Sequence, residues 1–426
     1  MFRSNPLRPL RGRVLGRGVL LIALTSALVL SMELGAVTPA KAVPPMTAMT
    51  EGLDGPSTIL RDPTTTAGDF GYSVAFSGRT AVVGSNSTTP NGNGEAFVYT
   101  KGVHGWSTPP VVLPAPMDGS ESFGSAVATT GSTAVVGAAE SAYVYVKGRT
   151  RWPTSPTVSL ADPGGGVNDG FGLAVAMSGS TIIIGAPYAV DGSRNGRVYL
   201  YVKGPSGWPS TPTVTLADPE PSGYWFGLSV AASGASVIVG ARNVSTIGAA
   251  YIFTKGSHSW PTTPTASMYD PVGTLQGCFG QSVALSDRIA VIGAGCDIHP
   301  GGRVYVYTDG SSGWVSTATA TLTDPHPDLT NDFGSQVAVT GGVVGVGAYG
   351  ALTSTGGSQA GTVFFYTKSR SGWPTSPTTS LHDPRNTRED SFGFALAMSS
   401  GRAFIGACNT NVNIAPGAGA AYFYRV

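Results

Sequence analysis

The sequence predicts an all-β fold: a seven-bladed β-propeller of four-stranded antiparallel blades, with the N-terminal strand completing the last blade. Three observations predict it. A Phe-Gly pair recurs seven times, at Phe70, Phe123, Phe171, Phe226, Phe279, Phe333 and Phe392, at intervals of 48 to 59 residues. In every copy a second glycine stands 14 residues after the phenylalanine, from Gly84 in the first to Gly406 in the last. Third, the segment Ser57 to Pro63 precedes the first pair, although its counterparts close the other copies. A fixed internal spacing inside a period of about 50 residues marks one supersecondary unit repeated.

Each unit reads as four strands. Phe171 to Gly185 holds two apolar runs around Ser178-Gly179, a hairpin with a tight turn. Gly78, Gly131, Gly234 and Gly341 keep that turn position, Asp287 takes it in the fifth copy, and the seventh shifts it to Gly401. Positive φ suits these residue types. A third strand carries rings at alternate positions, such as Tyr199 and Tyr201 or Tyr422 and Tyr424. Period two is the strand signature, and rings on one face in every copy read as packing between neighbouring blades. A turn marked by Trp106, Trp152, Trp208, Trp260, Trp314 or Trp373 leads to the fourth strand, as in Thr213 to Leu216. Asp-Pro follows that strand at Asp62, Asp162, Asp218, Asp270, Asp324 and Asp383, a recurrence that suits turn capping better than catalysis. No Trp turn follows Tyr424, so the strand ending at Leu60 is expected to close the seventh blade and tie the ring.

Five arginines from Arg3 to Arg17, an apolar run from Val19 to Leu30 and the small-residue site Ala40-Lys41-Ala42 predict a secretory signal peptide over residues 1–42. A retained membrane anchor is the alternative, although the run is short for a bilayer, which takes about 20 residues. A short linker, 43–56, precedes the propeller at 57–426. The expected product is a secreted, extracellular monomer with no integral membrane segment after cleavage. Charged residues make up 12% of the chain and its net charge is +1, which leaves no electrostatic footprint for nucleic acid. With 41% apolar residues the chain can bury a core despite its 60 glycines.

The Phe-Gly pair, the Val-Gly-Ala element and the repeat length together resemble the FG-GAP repeats of integrin α-subunit propellers, and more closely their short bacterial form, with Phe70 to Gly78 as an example. The resemblance spans residues 57 to 426 and implies a propeller with a role in binding or adhesion. Integrin-like repeats often carry an acidic calcium loop between the first two strands. Here a two- or three-residue turn such as Ser178-Gly179 stands in its place, and cannot supply the six to eight oxygens that calcium takes. No metal and no cofactor is therefore expected. The acidic loop from Asp324 to Asp332, which includes Asp328, is read as a solvated turn, with a bound cation as the alternative.

The five histidines are scattered over different turns, and the sequence contains no G-x-S-x-G, H-E-x-x-H, Walker or C-x-x-C motif. Counting outward from Asp287 as the turn centre puts Cys278 and Cys296 nine residues away on either side, which predicts a disulfide between them. Cys408 is left as a buried free thiol. One face of the disc carries the uniform Ser-Gly and Trp turns, and the opposite face carries loops of unequal length, where repeats usually bind ligands. On that face the fourth blade stands out. Tyr224 and Trp225 precede its Phe-Gly pair and Arg242 follows its Gly-Ala, while the same mirror count places Asn243 opposite Trp225. Tyr, Trp and Arg together have the composition of a binding hot spot. Trp225 filling a gap beside a glycine-rich neighbour is an equal reading. Tyr188 and Tyr349 are weaker additions.

Two functions follow. One is a non-enzymatic binding or adhesion module that recognises a protein or cell-surface glycan through the loop-rich face. The other is a secreted glycan hydrolase or lyase with carboxylates among Asp191, Asp297, Asp328, Glu389 and Asp390 converging over the central channel, which needs two of them within about 5 to 10 Å.

Overall fold

A computed structural model describes residues 55–63, 68–86, 93–116, 121–166, 168–191, 193–194, 196–220, 225–242, 247–273, 278–295, 301–326, 331–351, 360–385, 390–409 and 418–426. The signal-peptide segment and most of the linker lie outside these residues. The described chain forms seven antiparallel blades and no helix. In the fourth blade the strands Phe226–Ser233, Ser236–Ala241, Ala249–Thr254 and Ala266–Tyr269 pair in that order. The seventh consists of Ala395–Ser399, Arg402–Ala407, Ala420–Arg425 and, from the other end of the chain, Thr58–Arg61. Thr58 faces Phe423 and Arg61 faces Ala420, so the shared last blade is as the repeat offset predicts.

Turn chemistry explains why the hairpins form where they do. Gly78, Gly179, Gly234 and Asp287 have positive φ while the residues after them do not, the pattern of a type II′ turn. In the seventh blade both Ser400 and Gly401 have positive φ, as a type I′ turn requires. This accounts for the one-place shift of its glycine. Each turn centre falls between two residues rather than on one: Ser233 pairs with Ser236 across Gly234-Ala235, and Ser286 with Ile289 across Asp287-Arg288.

The core lies between blades rather than within them. Leu200 and Leu216 of the third blade pack against Val237, Val239, Tyr251 and Phe253 of the fourth, and an equivalent buried cluster fills each of the seven junctions. Burial of such side chains contributes about 1.5–3 kcal/mol each, so a blade owes most of its stability to its neighbours. The alternate rings of the third strands are buried here, as at Tyr201, Tyr307 and Tyr422. The Trp turn joins the same layer. Trp106 stacks on Phe423 at 4.7 Å across the junction of the first and seventh blades, and the ammonium groups of Lys101, Lys147, Lys203 and Lys368 sit 5.7–6.0 Å from the ring centres of Trp106, Trp152, Trp208 and Trp373. These tryptophans are scaffold.

The recurrent aspartates cap turns. Asp162, Asp218, Asp270 and Asp324 each accept a backbone N–H from two residues on, at 2.8–3.0 Å. The same carboxylates lie beside a tyrosine of the next blade, Asp162 against Tyr199 and Asp270 against Tyr305.

The two motif glycines explain the spacing of 14. Within a blade they close the open end of the hairpin, as where the Gly71 N–H donates to the Gly84 carbonyl at 3.1 Å. Between blades they touch: a Cβ on Gly84 would overlap the carbonyl oxygen of Gly124, and one on Gly406 would overlap that of Gly71. The contact recurs at every junction, and the pair Gly406 and Gly71 closes the circle. Ser73, Ser229 and Ser282 add hydroxyl bonds of 2.7–2.8 Å to the carbonyls of Gly124, Gly280 and Gly334.

Candidate functional site

The innermost strands surround a central channel of about 420 Å³. Its wall is set by the third residue of each repeat, two places after the phenylalanine: Tyr72, Ser125, Leu173, Leu228, Gln281, Ser335 and Phe394. The glycine before this position holds the hairpin and the blade junction and is constant, while the residue after it is Ser, Ala or Gln. The position itself lines the channel and differs from blade to blade. Sequence reasoning passed over it, although a position that ranges from Ser to Phe directly after a constant Phe-Gly pair is the signal that marks it. Ser125 Oγ, Gln281 Oε1 and Ser335 Oγ are buried without a hydrogen-bond partner among the described residues, which gives the channel polar groups that an occupant can satisfy.

Arg242 also lines this channel. The mirror count about Gly234 needs correction here, because an irregularity between Phe226 and Ser229 shifts the register and pairs Phe226 with Ala241. The following residue, Arg242, is thereby brought over Trp225, with its guanidinium carbon 5.3 Å from the ring centre. Tyr188 of the third blade meets the same indole edge-on at 5.9 Å. Three of the residues expected at this site are therefore together, while Tyr224 and Asn243 lie outside the described residues. Burial lowers the Arg242 pKa, opposed by the nearby Tyr188. Its ε-nitrogen is buried without an acceptor among the described residues.

Trp225 has φ of 63°. The residue before the phenylalanine begins a tight turn in each blade, with the Leu228 N–H donating to the Trp225 carbonyl at 3.0 Å in the fourth. Ser122, Gly170, Asp332 and Ser391 hold the equivalent place with φ of 52–71°. Small and polar residues bear this conformation more easily than a bulky aromatic.

Tyr349 is not part of that group. Its hydroxyl hydrogen-bonds Asp332 and its ring meets Phe394 at 5.4 Å, which in turn meets Tyr72 at 5.0 Å. Burial, with the Asp332 charge adding to it, pushes the Tyr349 hydroxyl up to about 12. A second aromatic cluster therefore borders the channel where the first, sixth and seventh blades meet. Cys408 behind it is free and buried, and burial with the nearby Asp69 pushes its thiol up to about 12. A thiol so protonated is a packing residue rather than a nucleophile.

Among the carboxylates considered for catalysis, Asp390 is fully buried. The Asp191 side chain and Asp297, Asp328 and Glu389 lie outside the described residues. In the acidic loop, Asp324 accepts the His326 N–H at 2.8 Å and the Asn331 amide at 2.7 Å, and no group of three His, Cys, Asp or Glu among the described residues is arranged to hold a metal. Cys278 is buried at the open end of the fifth hairpin, and Cys296 lies outside the described residues.

No curated protein matches the chain. Two segments, residues 63–99 and 155–201, match the sequence model described as the FG-GAP repeat. Each begins at the Asp-Pro turn or the fourth strand of one blade and runs through the Phe-Gly hairpin to the aromatic third strand of the next. With the same unit built seven times into one ring, the chain is a β-propeller of the FG-GAP repeat family.

Proposed function

We propose that the protein is a secreted, non-enzymatic binding module that recognises a protein or cell-surface glycan through the loop-rich face, centred on the channel mouth at the fourth blade. The observation that carries this reading is the strained position of Trp225. A bulky side chain at positive φ costs on the order of 1–3 kcal/mol, and such outliers cluster at functional sites. Here the strain holds an indole beside a half-buried arginine and a tyrosine, residue types that dominate binding hot spots. Uniform Trp turns occupy the other face, where they are committed to packing.

The test is retention of the purified chain on a glycan array and on immobilised extracellular proteins, with Trp225→Ala as control. At least about tenfold weaker retention of the variant, at unchanged melting temperature, is the expected outcome. Equal retention of both chains would remove the fourth-blade site. We also propose the Cys278–Cys296 bridge and removal of residues 1–42. Non-reducing peptide mapping of the chain recovered from culture medium checks both, and a free Cys278 or an intact leader contradicts them.

A further inference from the structure

Arg242 is the only charged side chain among the described residues that line the channel. No carboxylate pairs with it among the described residues, and the flanking segments 221–224 and 243–246 contain no Asp or Glu. A cation drawn out of water without a partner is costly, and the downward pull of burial on its pKa reflects that cost. An anion seated beside it would relieve the penalty. Around the same channel Ser125 Oγ, Gln281 Oε1 and Ser335 Oγ are without partners among the described residues, and Ser335 is only 4% exposed. Aromatic surface stands on both sides, Trp225 against Arg242 and the Tyr72–Phe394 pair on the wall.

We propose that the channel mouth beside Arg242 takes a carboxylate-bearing sugar, so that the ligand of this propeller is an acidic glycan. This rests on the binding role assigned above to Trp225. The guanidinium binds the carboxylate in a forked, charge-assisted pair. Hydroxyls of the sugar meet the serine and glutamine groups, and its C–H faces lie on the aromatic rings. A volume of about 420 Å³ falls within the range of small-molecule sites, about 300–1,000 Å³. An extended acidic peptide fits less well, because strand-like recognition draws on a row of main-chain groups along one sheet edge, whereas these side chains are spread around a ring.

The experiment uses the purified chain against oligosaccharides bearing glucuronate, galacturonate or sialate, the methyl esters of the same compounds, and a peptide with one aspartate. Acidic sugars are expected to bind at least about tenfold tighter than their esters. Arg242→Gln should lose that difference, and Arg242→Lys should recover part of it, since lysine keeps the charge without the fork. Thermal melts establish that each variant is folded. The inference is overturned if no acidic sugar binds, if acids and esters bind equally, or if the peptide binds better than the sugars. Should Trp225→Ala abolish retention of a neutral glycan that Arg242→Gln still binds, the binding role of the fourth blade stands and the acidic ligand alone falls.

Discussion

The positive φ of Trp225 costs on the order of 1–3 kcal/mol, while its contacts with Arg242 and Tyr188 each return about 0.5–1.5 kcal/mol. These terms nearly cancel. Trp225→Gly, which relieves the backbone and removes the contacts, should therefore change the melting temperature by no more than a few degrees while abolishing ligand retention. A large loss of stability on calorimetry would instead mark the indole as a core plug. Asp218 offers a test of a different kind. Burial pushes its carboxyl up to about 6, against the opposing hydrogen bond from the Glu220 amide. With the folded pKa above the unfolded one, its contribution is complete below about pH 4 and is lost as pH rises through 6. Asn keeps the neutral form and the turn bond. Asp218→Asn should melt with the wild type at pH 4 and above it at pH 7.5, and a difference independent of pH would contradict this.

A hairpin carries its instructions in few residues, and most were readable. The Phe-Gly spacing, the Ser-Gly turns and the alternating rings located every blade, because each answers to local backbone geometry or to period-two packing. The partnership of Arg242 with Trp225 was misplaced by one residue, since counting from a turn assumes a regular ladder and the irregularity after Phe226 breaks it. The channel-lining position went unnoticed for an opposite reason: Tyr72, Ser125 and Gln281 have no chemistry in common, and only the closed ring brings them together. Glycine contacts between blades give a sharp test at this scale. Gly84→Ala would drive a methyl group into the backbone of Gly124. The Ser73 hydroxyl, also in the way, can turn aside, but the backbone carbonyl of Gly124 cannot, so the loss should exceed about 3 kcal/mol, read as a fall in urea midpoint. Gly78→Ala in the exposed turn meets no atom and should cost only its positive φ, about 1 kcal/mol.

Across the whole molecule, seven junctions of similar make-up share the stability, and one of them depends on the two ends of the chain. Leu60 is 3% exposed in the layer with Phe70, Phe97 and Phe423. Leu60→Asp buries a charge there and frees the edge of Ala420–Arg425. The expected result is a steep fall in melting temperature with aggregation on light scattering, whereas a mild effect of about 1 kcal/mol would mean that the last blade is stable with three strands.

The pairing of Ser57 with Phe423 spans 366 residues, with the serine hydroxyl donating to the phenylalanine carbonyl at 3.0 Å. On the ribosome the first of these partners is made long before the second. Thr58–Arg61 must wait through six complete blades for its place in the sheet, and Trp106 waits as long for the ring it stacks on. Closure therefore reports that synthesis has reached Phe423. A chain released early is left with an open arc and an unpaired strand, a form that proteases and chaperones can tell apart from the finished ring.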